Sequence, residues 1–366
     1  MAANRQFQPD GVRCQRLKNG LAIVTREDQS VPIVSTMIWY RVGSRFEEPG
    51  TRGMSHFLEH MMFKGTDRYR KGEIDYITTR LGGSNNAFTS NDYTAYHFTF
   101  ASDRWWPALE IEADRMTNNS FDAKELELER QVVIEELKML LDSPWSALCQ
   151  LVESRSYQEH PYQFPVIGVY EDLISIDVAQ MVEFYERFYT PGNAVMVLVG
   201  DFCTEEVVRR VEELFGSLSS KETPEGPTVV EPDRTEQVRL RVERPSHVPR
   251  LMISFPAPSV RQKEHYAMHV LDRVLSEGKL SRLYSRLVEK EQVASFATTE
   301  FSETYDRHLF SVRVELRKEA DLESVEALVF EEVDKVRQIP ISQAELRRAK
   351  NQCFTQLVES FETTLD

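Results

Sequence analysis

The order of elements in the first 214 residues recurs after a polar break. This repeat restricts the fold more than any single motif. Residues 17–28 (LKNGLAIVTRED) place a turn at Asn19-Gly20 before alternating apolar positions, the period of a half-buried strand. A second strand pattern, PIVSTMIWYRVGS, covers 32–44. The period becomes helical over 52–63 and 72–81, where Gly82-Gly83 stops it. TAYHFTFA (94–101) alternates again. Helical patterns cover 103–118, 120–141, 178–188 and 205–214, with a continuous apolar strand at 193–202 between the last two.

Residues 216–237 (GSLSSKETPEGPTVVEPDRTEQ) hold three prolines and two glycines and read as a linker. Beyond them the order repeats: strands in 238–256, helices in 261–275 and 281–290, strands at 295–300 and 308–315, then helices at 320–337 and from 342. HVLDRVLSEGK (269–279) lies over HFLEHMMFKGT (56–66). ISQAELRRAKNQCFTQLVES (341–360) lies over FDAKELELERQVVIEELKML (121–140). The shared order argues for two related α+β halves. We expect a first domain at 1–217, a linker at 218–236 and a homologous second half at 237–366. On this alignment the second half stops short of its C-terminal elements.

Charge narrows the function. Forty-four basic against 59 acidic residues give a net charge of −15, which disfavours nucleic acid as a partner. Cys14, Cys149, Cys203 and Cys353 form no CxxC pair, so a disulfide framework is not expected. No run approaches the ~18 apolar residues of a membrane span, and the N-terminus shows no apolar signal-peptide core. A cytoplasmic location is the expectation, with the periplasm or an organelle as alternatives.

The chemistry concentrates in HFLEH (56–60). On a helix, His56 and His60 share a face, and Glu59 lies beside it. This is the H-x-x-E-H order of inverted zinc peptidases. At this composition chance would supply such a pattern roughly 0.03 times per chain. Catalytic zinc commonly takes three protein ligands. The best source of a third is ERQVVIEE (129–136), where Glu129 and Glu136 stand two turns apart on one helix face. Glu135 points about 100° away.

HFLEHMMFKGT, GGSNNAFTSNDYTAY (82–96), ELERQVVIEE (127–136), HPYQFPVIG (160–168) and YTPGNAVMVLVGD (189–201) resemble the pitrilysin/insulinase family of zinc metallopeptidases. The similarity is strongest to its short branch, which includes the mitochondrial processing peptidase beta subunit and bacterial two-subunit relatives. The resemblance implies two halves, each an antiparallel sheet of about six strands with helices on one face, forming half of a clam-shell chamber. It implies one Zn2+ per chain on His56, His60 and Glu136. It also implies Glu59 as general base and Glu129 as a supporting carboxylate. Asn86 and Ala87 would lie on an edge strand that pairs with the substrate backbone.

Over Glu59, His60 and Glu136 the second half has Asp272, Arg273 and Gln356, so it carries no copy of this site. Self-sufficient members also carry an Arg/Tyr pair in the second half. Here those positions read Val288 and Ser295. The resemblance therefore implies a zinc endopeptidase for unfolded or short peptides, working as the metal-bearing subunit of a heterodimer. The partner would be a homologous chain lacking HxxEH and supplying the Arg/Tyr pair, with a homodimer as the alternative arrangement. The alternative function is a non-catalytic scaffold derived from the same family.

Overall fold

A computed structural model of the chain describes residues 11–221 and 225–360. The expectations for the N-terminal ten residues, for 222–224 of the linker and for the end of the chain lie outside the described residues. The chain divides into two compact units. The described part of the first is 11–140, 164–221 and 225–230; that of the second is 141–163 and 231–360.

The first unit is built on six strands: β1 (Val12–Arg16), β2 (Ala22–Glu27), β3 (Ile33–Tyr40), β4 (Ser84–Thr89), β5 (Thr94–Ala101) and β6 (Ala194–Gly200). Their order is β1-β2-β6-β3-β5-β4. The sheet is mixed, not antiparallel throughout, because β6 inserts between β2 and β3 and runs parallel to β2. The β6 end needs glycine. Gly200 has φ +139°, and a Cβ there would lie 2.2 Å from the Ile33 carbonyl oxygen.

Alternation decides which face is covered. Val34, Thr36, Ile38 and Tyr40 of β3, Tyr96, Phe98 and Phe100 of β5, and Met196 and Leu198 of β6 are all buried. Onto this face pack α1 (Met54–Met61), α2 (Glu73–Arg80), α3 (Pro107–Thr117), α4 (Ala123–Asp142), α6 (Tyr170–Leu173), α7 (Val178–Phe188) and α8 (Thr204–Phe215). The helix α5 (Pro144–Ser156), for which no sequence pattern is assigned above, belongs to the second unit.

Two anchors fix the helices that matter for the site. At the start of α1, the half-buried Glu47 carboxylate accepts hydrogen bonds from the backbone N–H groups of Gly53 and Ser55, each at 2.7 Å. These are helix-end donors that would otherwise lack a partner. Along α4, the buried Arg130 guanidinium donates to the carbonyls of Leu173 and Ile176.

The second unit has three antiparallel strands among the described residues: β7 (Arg250–Ala257), β8 (Ala294–Phe301) and β9 (His308–Leu316), in the order β7-β9-β8. This is fewer than the six expected. VRLRVE (238–243) alternates as predicted but forms no strand, and Val238, Leu240 and Val242 are 49%, 47% and 51% exposed. Alternation provides a strand with a buried face only where a neighbour completes the ladder. The helices are α9 (Glu264–Ser276), a π-helical segment at Tyr284–Lys290, α10 (Leu322–Gln338) and α11 (Gln343–Glu359).

The repeat is visible in topology. β3-β5-β4 and β7-β9-β8 have the same order, and α1 and α9 fall at the same point of each pattern. The four cysteines are free. No helix among the described residues is long and apolar enough to cross a membrane.

Removing the Arg130 anchor orphans two buried carbonyls. Arg130→Leu is expected to lose about 3 kcal/mol in denaturant unfolding. Glu127→Gln, which removes the charge of the exposed ion-pair partner of Arg130, is expected to leave the unfolding midpoint close to that of wild type.

Candidate metal centre

α1 and α4 bring the predicted ligands together. His56 and His60 are one turn apart on α1, with ring centroids 4.7 Å apart. The Glu136 Oε2 atom on α4 lies 3.7 Å from His56 Nε2 and 3.6 Å from His60 Nε2. One ligand atom from each of the three residues falls within 4.8 Å of the others. Bonds of about 2.0–2.1 Å at tetrahedral angles separate ligand atoms by about 3.3–3.4 Å. Two imidazoles and a carboxylate at this spacing suit zinc in chemistry and in size.

The neighbours orient these side chains. His60 Nδ1 is 2.8 Å from Glu129 Oε1, so its proton belongs on Nδ1 and its Nε2 lone pair faces Glu136. Glu129 also pairs with Lys64 Nζ at 2.5 Å. Burial pushes the Glu129 carboxyl upward, but the bonds from His60 and Lys64 outweigh it and hold the carboxyl below its usual range. Burial, with His60 beside it, lowers His56 to about 4, so its ring is neutral at ordinary pH. His56 Nδ1 is buried without a hydrogen-bond partner among the described residues.

Glu59 sits on α1 beside this cluster. Its Oε2 accepts a hydrogen bond from Thr89 Oγ1 at 2.5 Å. Burial raises its pKa, the Thr89 bond opposes that rise, and Glu136 adds to it. Thr89 belongs to β4, the edge of the sheet. Asn86 and Ala87 lie on the same strand, paired with His97 and Tyr96 of β5. Ala87 is buried toward the helices, whereas Asn86 is exposed. Phe88 packs edge-on against Trp39 at 5.5 Å, on the face opposite Ala87.

Sequence reasoning therefore names every residue of the cluster but misses two that hold it. Lys64 is four residues after His60, and that spacing was a readable signal. Thr89 lies inside the quoted SNNAFTS, but no periodicity connects it to Glu59.

Residues 22–169 match the family model "Insulinase (Peptidase family M16)", and 175–353 match "Peptidase M16 inactive domain". The zinc protease PqqE of Helicobacter pylori is 30% identical over 355 residues, spanning 96% of this chain and 80% of the relative. A probable mitochondrial-processing peptidase subunit beta of Arabidopsis thaliana is 26% identical over 357 residues, spanning 94% and 67%. The crystal structure of a protease from Helicobacter pylori superposes with a TM-score of 0.91 at 29% identity, covering 96% of this chain and 86% of that one. The chain belongs to the M16 family of peptidases, the pitrilysin/insulinase family.

The depressed pKa of His56 has a thermodynamic consequence. Between about pH 6.5 and 4, an unfolded His56 binds a proton that the folded ring excludes. Protonation then favours unfolding, so the stability of the metal-free protein should fall as pH falls through that window. His56→Asn should flatten this slope. Histidine NMR titration of the metal-free protein checks the assignment, and a His56 ring titrating near 6.5 contradicts it.

Proposed function

We propose that this chain is a zinc-dependent endopeptidase acting on unfolded or short peptides. His56, His60 and Glu136 hold one zinc ion. The observation that carries the reading is the approach of Glu136 Oε2 to both imidazole Nε2 atoms, at 3.7 and 3.6 Å, with Glu59 beside them. When bound, zinc acidifies a water molecule and polarises the scissile carbonyl.

The protein groups then divide the work. Glu59 takes the proton of the attacking water and returns it to the leaving amine. Burial keeps the Glu59 carboxyl closer to neutral pH than a solvated one, which suits a group that must both accept and release a proton. Thr89 fixes its orientation. Glu129 holds His60 in the tautomer that leaves Nε2 free. The open side of β4, with Asn86 and Ala87 on it, pairs with an extended substrate. Main-chain pairing of this kind tolerates many sequences but requires an unfolded segment.

The partner follows from what stands at two positions. Val288 packs into the second apolar core. The Ser295 hydroxyl is taken up by Glu315, at 3.2 Å from its carbonyl and 3.1 Å from its carboxylate. Neither is a cation or a phenol that could grip a substrate carbonyl. A homologous chain carrying the Arg/Tyr pair supplies those groups, and oxyanion donors of that kind commonly contribute about 3–4 kcal/mol.

The test uses full-length protein purified from its source. His60→Ala should lose the zinc of the HxxEH centre and the activity together. Glu59→Gln should keep the zinc and lose about 10²–10⁴-fold in kcat. The wild-type chain should cleave faster with its homologous partner than alone, and equal rates would remove the heterodimer reading. A zinc-free wild-type protein would favour a scaffold. Independently, peptides N-methylated at alternate backbone amides should lose turnover relative to the parent peptide. Unchanged turnover would exclude pairing at β4.

A further inference from the structure

The second unit contains a cluster in which only His269 lies over a residue of the first centre, His56. At the positions matching Glu59 and His60, Asp272 accepts a hydrogen bond from Thr299 Oγ1 at 2.5 Å, and Arg273 donates to Gln356, the position matching Glu136. A guanidinium therefore stands where a metal ion would have to be, and that copy of the site is closed.

One turn toward the start of α9 the situation reverses. His265 and His269 are four residues apart, so they share a face. Their Nε2 atoms are 3.1 Å apart, and their ring planes cross at 85°. Glu303, in the connection between β8 and β9, brings Oε1 to 3.1 Å from His269 Nε2. One ligand atom of each residue lies within 4.8 Å of the others. Two ligands on one tetrahedral ion are expected about 3.3 Å apart, so both close separations match a shared cation.

The surroundings suit a held ion. Phe301, the last residue of β8, packs against both imidazoles, with centroids at 5.0 Å from His265 and 5.4 Å from His269. His265 is 5% exposed, whereas the Glu303 side chain is 64% exposed. Two ligands are thus set on a rigid helix, and the third closes from a connection open to solvent.

We propose that His265, His269 and Glu303 form a second site for a zinc-class divalent cation, separate from the HxxEH centre. Its role is structural: the ion fastens α9 to the β8–β9 connection. The donor set of two imidazoles and one carboxylate selects a borderline transition metal over Mg2+ or Ca2+.

The experiment is metal counting on the full-length chain after chelator treatment and reloading with Zn2+, read by elemental analysis with far-UV circular dichroism as a folding control. His269→Gln should carry one zinc fewer than wild type. His60→Ala, which removes the other centre, should keep one zinc that His269→Gln added to it abolishes. Glu303→Gln lies on an exposed side chain and should fold normally while weakening that zinc by about tenfold or more. Co2+ loaded into His60→Ala should give visible d–d absorption that His265→Gln removes. Zinc content and affinity in Glu303→Gln and His269→Gln equal to wild type would overturn the proposal. So would a His60→Ala protein free of zinc and of the cobalt bands, because the two imidazoles would then be sharing a proton and not an ion.

Discussion

The hydrogen bond between His60 Nδ1 and Glu129 Oε1, 2.8 Å long, joins two helices whose bonded residues are 69 positions apart. It orients the ring, and it holds α4 against α1 so that Glu136, two turns further on, faces both histidines. Lys64 offsets the charge that Glu129 brings into a partly buried position. The helices are themselves fixed by Glu47 at the start of α1 and by Arg130 along α4. The centre is therefore held by the paired polar groups Glu129, Lys64, Glu47 and Arg130, on a sheet whose covered face is apolar.

The duplicated fold shows what can change while the frame persists. Thr89 bonds Glu59, and Thr299 bonds Asp272. The bond from edge strand to helix survives in both units, although only the first keeps an H-x-x-E-H. In the second, Arg273 and Gln356 stand at the positions of His60 and Glu136 and bond each other, and the Arg273 charge is met by Glu277 at 2.7 Å and Asp272 at 3.5 Å. That position therefore carries no unpaired buried charge, which would be costly.

Much of the architecture was legible because it depends on period. The helices carrying His56 and Glu136 and the order shared by the two halves follow from spacing and turn residues, whereas the edge strand with Asn86 and Ala87 was implied only by the family resemblance. The parallel pairing of β6 with β2 was not legible, since nothing local tells residues 194–200 which strands will flank them. The run at 238–243 failed in the opposite direction. Its alternation is correct for a strand, but pairing is a long-range property, and none of the described residues supplies it. The membership of 141–163 in the second unit has no compositional mark, because both ends of that segment read as ordinary surface.

The amino-acid sequence determined the residue types of the His56, His60 and Glu136 cluster, their helical phase and the position of Glu59 beside them. Each of these is set within one or two helical turns. It could offer Glu129 and Glu136 as equivalent carboxylates on one face. Only the packing of α4 on α1 assigned Glu129 to the far nitrogen of His60 and Glu136 to the open side of both rings. The same holds for Thr89 at Glu59 and for Glu303 at His269. A partner from another element is chosen by where the chain returns in space, and that depends on the whole core.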